Sequence, residues 1–323
     1  MSLLSSHIRL DQRPAFARRL ASALDLSEDF DIVAPHSAVV STYQLDSEHH
    51  SEPRQGSLCL VEVDENGNIS LKKSIPKSAG VFRFEYLSSS RLISALTNGS
   101  LSIDDLNAKS DDIPVCDNML LDVSPLDGIT FTSDNKARDG NAYVVDLNSE
   151  TLVSSWLAHQ LAYSNDPCEV WTCSLRKGNV GCTGAEDETL KIWDTRSRTL
   201  VSQCKLFEAG VTFSQWINEN QILTGSYDEH IRVLDTRNLK QEVHKIKANG
   251  GVWNIEINLD KGGNPLYLVS CMYGGWMLMN SNYDILKQNE EAGKQLLYGA
   301  TIINSNKLLY TTFNDFTVSV ETF

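Results

Sequence analysis

Two segments of this chain are near copies of each other. "TGAEDETLKIWDTRS" at 183–197 aligns without a gap with "TGSYDEHIRVLDTRN" at 224–238, so Thr183 and Thr224, Asp187 and Asp228, Asp194 and Asp235, and Arg196 and Arg237 all stand 41 residues apart. Each copy runs from a strand of small residues through an acidic turn into an alternating, β-branched strand. The same plan recurs more weakly at 91–107, 128–148, 266–280 and 307–323, and "AVVSTYQLD" with "GSLCLVEVD" (38–46 and 56–64) makes one more copy, split by the polar insertion "SEHHSEPRQ".

A period near forty that closes on Trp-Asp is the mark of the four-stranded WD-repeat blade. A short apolar segment suited to an innermost strand precedes each copy: "SALDL", "VFRFEY", "MLLDVS", "EVWTCSL", "VTFSQW", "VWNIEI" and "YGATII". The expected fold is therefore all-β, a seven-bladed WD-repeat β-propeller with few helices, forming one domain over residues 1–323. One blade cannot bury both faces of its sheet, so neighbours must stack, and "SHIRLDQ" near the N-terminus is expected to complete the last sheet.

Composition narrows the function classes. Of 323 residues, 28 are Lys or Arg and 42 are Asp or Glu, a formal net charge of -14. No stretch concentrates basic residues as a phosphate-binding surface requires, which argues against nucleic acid as a partner. The acidity fits a basic partner or serves solubility. Seven cysteines, without a C-x-x-C pair, read as free thiols of a reducing compartment and give no zinc site; no metal or cofactor is expected. No window has the eighteen or so apolar residues of a membrane span, and the N-terminal stretch is too polar for a signal peptide, so a cytoplasmic protein without membrane contact is expected.

The turn acids Asp187 and Asp228 read as structural, since an Asp that bonds its own turn satisfies polar groups that packing would otherwise strand. His230 stands where the twin repeat has Thr189. With Tyr227 and Glu229 it forms a polar, aromatic cluster that reads either as a general base or as a local brace. There is no G-x-S-x-G elbow, H-E-x-x-H or phosphate-binding glycine loop. His49 and His50 lie in the polar insertion, and Ser226 and Cys271 sit in second strands where small residues pack. Aromatic residues recur where innermost strands begin: Trp171, Trp253 and Tyr298, with Tyr227 and Tyr273 at adjoining turns. Edged by Glu169 and Glu229, they read either as a cage for a quaternary ammonium or as wedges between blades.

"TGSYDEHIRVLDTRNLKQ", "GGVW", "LVSCMYGG" and "LYGA", together with "SSWLAHQ", "EVWTCSL", "TGAEDETLKIWDTR" and "STYQL", resemble the diphthine methylesterases, WD-repeat proteins of diphthamide biosynthesis. The resemblance runs from about residue 154 to 300 and is thin through the first three blades. It implies hydrolysis of the methyl ester of methylated diphthine, a modified histidine on the eukaryotic elongation factor that drives translocation. That factor would be the partner. The sequence departs from the family by inserting "LAYSNDPC" between Gln160 and Glu169, by placing Phe207 where a histidine is expected, and by Leu234 in place of a tryptophan. His159 and His230 are then the matched imidazoles. On this resemblance His230, oriented by Glu229 or Asp228, activates water while Tyr227 or backbone amides stabilise the oxyanion, and Glu169, Trp171, Trp253, Tyr273, Tyr298 and His159 hold the substrate. The competing expectation is a substrate receptor docking to a cullin ligase adaptor through the D-x-R boxes 194–196 and 235–237, whose arginines are either exposed docking groups or partners of the next blade's turn.

Overall fold

The computed structural model describes residues 6–20, 36–44, 54–89, 91–105, 112–134 and 139–323. Among the described residues, twenty-eight strands form seven four-stranded antiparallel sheets, the blades of a seven-bladed β-propeller. The first sheet is β2 (Pro14–Arg19), β3 (His36–Thr42), β4 (Ser57–Val63) and β5 (Ile69–Pro76), and the second is β6 (Val81–Tyr86), β7 (Arg91–Leu96), β8 (Ser100–Asp105) and β9 (Asp112–Pro114). The third is β10 (Leu120–Leu126), β11 (Ile129–Asp134), β12 (Asn141–Asp146) and β13 (Thr151–Leu157). The repeat twins follow. Sheet four is β14 (Thr172–Arg176), β15 (Val180–Gly184), β16 (Leu190–Asp194) and β17 (Thr199–Cys204), and sheet five is β18 (Val211–Trp216), β19 (Gln221–Ser226), β20 (His230–Asp235) and β21 (Asn238–Lys247). Sheet six is β22 (Asn254–Leu259), β23 (Pro265–Ser270), β24 (Trp276–Met279) and β25 (Ile285–Asn289). In sheet seven, β26 (Leu297–Asn304), β27 (Lys307–Thr312) and β28 (Thr317–Thr322) are joined by β1 (Ser6–Arg9), which runs antiparallel to β28 with Ser6 opposite Val320.

Among the described residues the one departure from strands and turns is a 3-10 turn, Glu291–Gly293. No helix there is long and apolar enough to cross a membrane. By contact the chain falls into two compact units, one carrying sheets one, six and seven, the other sheets two to five apart from the first two residues of β6.

The first sheet departs from expectation. Its innermost strand is "PAFARR" at 14–19; "SALDL", expected there, lies outside the described residues, as do His49 and His50. Pro14–Ala17 are buried, and Ala17 packs with Val40 and Val61 although the segment is no more apolar than a loop.

Burial falls from inside to outside within each blade. β19 and β20 are buried on both faces through their middles, whereas the outermost strands β5, β13 and β17 are largely exposed. Sheets four and five share a core of Cys182, Leu190, Ile192, Phe207, Val211, Ile222 and Leu234. Gly184 and Gly225, the same place in the two repeats, let the next innermost strand approach closely. A Cβ on Gly184 would come within 2.6 Å of Val211 Cγ1, and one on Gly225 within 2.3 Å of Val252 Cγ1. All seven cysteines are free thiols, and six are buried.

Candidate turn site of sheets four and five

In sheet four the turn between β15 and β16 closes a continuous chain of hydrogen bonds. Trp193 Nε1 donates to Thr183 Oγ1 (2.8 Å), Thr183 Oγ1 donates to His159 Nε2 (2.7 Å), and His159 Nδ1 donates to Asp187 (2.9 Å). Thr189 Oγ1 donates to the same carboxylate at 2.7 Å, and Lys191 Nζ lies 3.4 Å from it. Burial lowers the His159 pKa and so favours the neutral imidazole, in which Nδ1–H faces the Asp187 carboxylate and Nε2 takes the Thr183 hydroxyl proton. Burial alone pushes the Asp187 carboxyl up, but His159, Thr189 and Lys191 together outweigh it and hold it at about 2. His159 is 0 % exposed. The substrate contact expected for it is therefore corrected: both ring nitrogens are spent inside the protein, and it braces the blade.

Sheet five keeps the turn and changes the brace. Phe207 and Leu234 replace the imidazole and the indole, and Arg232, at the place of Lys191, takes over the acid. Its guanidinium grips Asp228 through two contacts (Nη1–Oδ1 3.0 Å, Nη2–Oδ2 2.8 Å) and lies over the Phe207 ring, 4.9 Å from its centroid. Asp228 is thus chiefly the counter-ion of a buried arginine. Burial raises its carboxyl pKa, and Arg232 and the Glu208 amide more than reverse this.

The His230 ring sits beside this pair. Nδ1 lies 2.8 Å from the backbone carbonyl oxygen of Asp228 and 3.6 Å from its Oδ1. A carbonyl oxygen can only accept, so Nδ1 carries the proton and the lone pair is on Nε2. The side chain is 21 % exposed. Glu229, in the left-handed region at φ 63°, does not orient the imidazole: it pairs with Lys247 at 2.5 Å.

Tyr227 turns the other way, into a trio with Trp171 and Trp253 whose ring centroids lie 6.0, 6.0 and 6.2 Å apart. The trio is uneven. Trp253 is 4 % exposed, with the buried Arg83 guanidinium 5.6 Å from its ring centroid; Arg83 also donates to the Trp253 carbonyl (2.8 Å) and lies 3.4 Å from Asp122. Trp253 is therefore a wedge whose cation is supplied from within. Trp171 and Tyr227 are half-buried.

The acid at these rings is Glu186 rather than Glu169. Glu186 Oε2 accepts the Trp171 indole N–H at 2.8 Å, whereas Glu169 contributes its backbone carbonyl to the Glu186 amide. Gly210 leaves room for the approach, since a Cβ there would meet Glu186 Oε2 at 2.6 Å and Tyr227 Cδ2 at 3.2 Å. Burial, with Glu169, Glu188 and Asp187 nearby, raises the Glu186 pKa against the pull of the indole. Sequence reasoning missed this residue, although the repeat register sets Glu186 opposite Tyr227.

The remaining predicted residues lie in the other unit. Tyr298 packs on Phe313 (5.3 Å), which also meets Tyr43 (5.2 Å) and the Arg13 guanidinium (5.1 Å), while Tyr273 is 64 % exposed. In the second D-x-R box, back in the unit of the turn site, the Arg237 side chain is tied to its own Asp235 by three bonds, Nε to both carboxylate oxygens (2.9 and 3.2 Å) and Nη2 to Oδ2 (2.6 Å), not to another blade's turn. Among the described residues no three potential ligands cluster as a metal site would require.

The fold and these turns define a β-propeller protein that presents an imidazole and an acid-flanked pair of aromatic rings on adjoining blades. Several of its relatives share one name. The chain is 30 % identical to the diphthine methyltransferase of Mus musculus over 53 % of its length, 31 % identical to that of Homo sapiens over 48 %, and 25 % identical to that of Schizosaccharomyces pombe over 54 %. It covers 36 %, 32 % and 54 % of those proteins, so it spans between a third and just over half of the relatives it matches. No protein-family model matches the chain.

Proposed function

We propose that this propeller is an enzyme of diphthamide biosynthesis, a cytoplasmic WD-repeat hydrolase that cleaves the methyl ester of methylated diphthine on the translocation elongation factor. The observation that carries this reading is the His230 tautomer: Nδ1–H is anchored on the Asp228 carbonyl, and the basic Nε2 belongs to a partly exposed side chain. Such a nitrogen can take a proton from water as the water oxygen bonds to the ester carbonyl. The tetrahedral oxyanion is met by backbone amides of the turn. When the C–O bond to the methoxy group breaks, the imidazolium returns its proton to the methoxide, methanol and a carboxylic acid leave, and the acid releases its proton to solvent as a carboxylate.

Substrate binding falls to Trp171 and Tyr227, with Glu186 as the acid beside them. A trimethylammonium is attracted to ring faces and to carboxylates and needs no hydrogen-bond acceptor. The net charge of -14 suits a basic factor. Docking to a ligase adaptor is not favoured by the relatives.

The test is mass spectrometry of elongation factor carrying methylated diphthine after incubation with the purified protein, which should show the loss of one methylene mass. His230→Ala should lower turnover by about a hundred- to ten-thousand-fold at an unchanged melting temperature. Full turnover in that variant removes His230 from the role.

A further inference from the structure

The insertion between Gln160 and Glu169 is a built loop rather than slack chain. Gln160 and Pro167 form an antiparallel bridge, the Leu161 amide donates to the Asp166 carbonyl (2.8 Å), and the Asn165 amide donates to the Leu161 carbonyl (3.0 Å). Gln160 Nε2 donates to the Asn165 carbonyl (2.8 Å), and Asn165 takes the left-handed conformation, φ 57°, that so tight a reversal needs. The foot of the loop is anchored: Cys168 is 1 % exposed and packs with Ala158, Val170 and Trp193, and Leu161 leans on the same cluster. The tip is the reverse. Tyr163 is 101 % exposed, so an ordered loop holds a whole phenol ring in water, where it forgoes the burial that apolar surface favours.

The loop leaves the chain beside the turn site. His159 Nδ1 bonds Asp187 (2.9 Å) and Trp171 Nε1 bonds Glu186 (2.8 Å), so the chain on either side of the insertion is tied to neighbouring residues of the sheet-four turn. Four residues of extended chain reach at most about 14 Å, which bounds the distance from His159 to Tyr163. A protein docked with about 800 Å² of its surface covers a patch roughly 30 Å across, so a partner centred on this turn reaches the loop tip. The face it meets is acidic. Asp166 on the loop and Glu186 and Glu188 on the turn reach solvent, whereas Lys191 is taken by the Ala158 carbonyl (2.8 Å) and by Asp187 (3.4 Å).

We infer that this loop is a docking element for the protein that carries the substrate, Tyr163 seating against lysine or arginine side chains of a basic surface while Asp166 and Glu188 pair with neighbouring cations. Tyrosine suits an anchor, since it brings a large contact area at the cost of few rotatable bonds and its ring face attracts a cation. The inference rests on the esterase reading for the identity of the partner, the translocation elongation factor, and extends that reading from the modified side chain to the surface around it.

The probe is elongation factor carrying methylated diphthine, its binding to the purified protein followed by biolayer interferometry. Tyr163→Ala should weaken binding at least about ten-fold at an unchanged melting temperature, and Tyr163→Phe should retain most of it. Asp166→Lys should weaken binding several-fold and make it less sensitive to salt. Equal binding by the Tyr163→Ala variant and the unaltered protein, or no binding of the factor by the unaltered protein, overturns the inference. A factor that binds through Tyr163 yet keeps its methyl group by mass spectrometry would sink the esterase reading and leave the docking loop standing.

Discussion

At the residue scale, one turn divides its labour among four consecutive side chains. Asp228 serves the buried Arg232, Glu229 serves Lys247, Tyr227 joins the ring trio, and His230 is held by a carbonyl. Such division was not legible from spacing, because neighbouring residues at a tight turn leave in different directions. Glu186 was hidden for a related reason: its indole partner, Trp171, lies at the start of the blade, two strands earlier. The relation gives a prediction. Trp171→Phe keeps a ring but removes the N–H, so the Glu186 carboxylate loses a charge-assisted bond and its pKa rises further, measurable by carbon-13 NMR of the side-chain carboxyl. Glu186→Gln should weaken binding of tetramethylammonium several-fold while leaving Trp253 fluorescence unchanged. Equal binding by both proteins would take the carboxylate out of cation recognition.

At the scale of the blade, the twin repeats show one turn braced in two ways. In sheet four a neutral imidazole, a hydroxyl and an indole hold Asp187; in sheet five an arginine stacked on Phe207 holds Asp228. Lys191→Met should therefore cost under about 1 kcal/mol, since Asp187 keeps His159 and Thr189, whereas Arg232→Met strands a buried carboxylate and should cost about 3–5 kcal/mol in urea unfolding. Gly225→Ala pushes a methyl into Val252 and should cost about 1–3 kcal/mol. The blades themselves were legible because a 41-residue copy repeats both strand alternation and turn chemistry. The innermost strand of the first blade was not read correctly: it is "PAFARR", whose Phe16 and small alanines pack inward while its arginines close the strand, and the expected "SALDL" lies outside the described residues. His159 was misjudged because its partners come from 24 to 30 residues downstream, and sequence proximity to them is nil.

For the whole molecule, acid is the informative variable. The His159 pKa lies below its ordinary 6.5 in the folded protein, so the unfolded chain binds a proton more readily; the stability tied to it is present above pH 6.5 and is lost as pH falls through that value. Asp187, at about 2 when folded against 3.8 ordinarily, contributes stability above pH 3.8 that disappears between 3.8 and 2. Urea midpoints should fall in two stages on acidification, and His159→Leu should remove the upper one; a flat profile from pH 7 to 5 in the unaltered protein would contradict the neutral, buried imidazole. The last sheet carries a different consequence. Because Ser6 faces Val320 and Arg9 faces Thr317, the two strands meet with the N-terminal end of one beside the C-terminal end of the other. Tension applied between Ser6 and Phe323 would peel β1 away one pair at a time instead of shearing all its bonds together, making the seam of sheet seven the low-force rupture point in an optical trap.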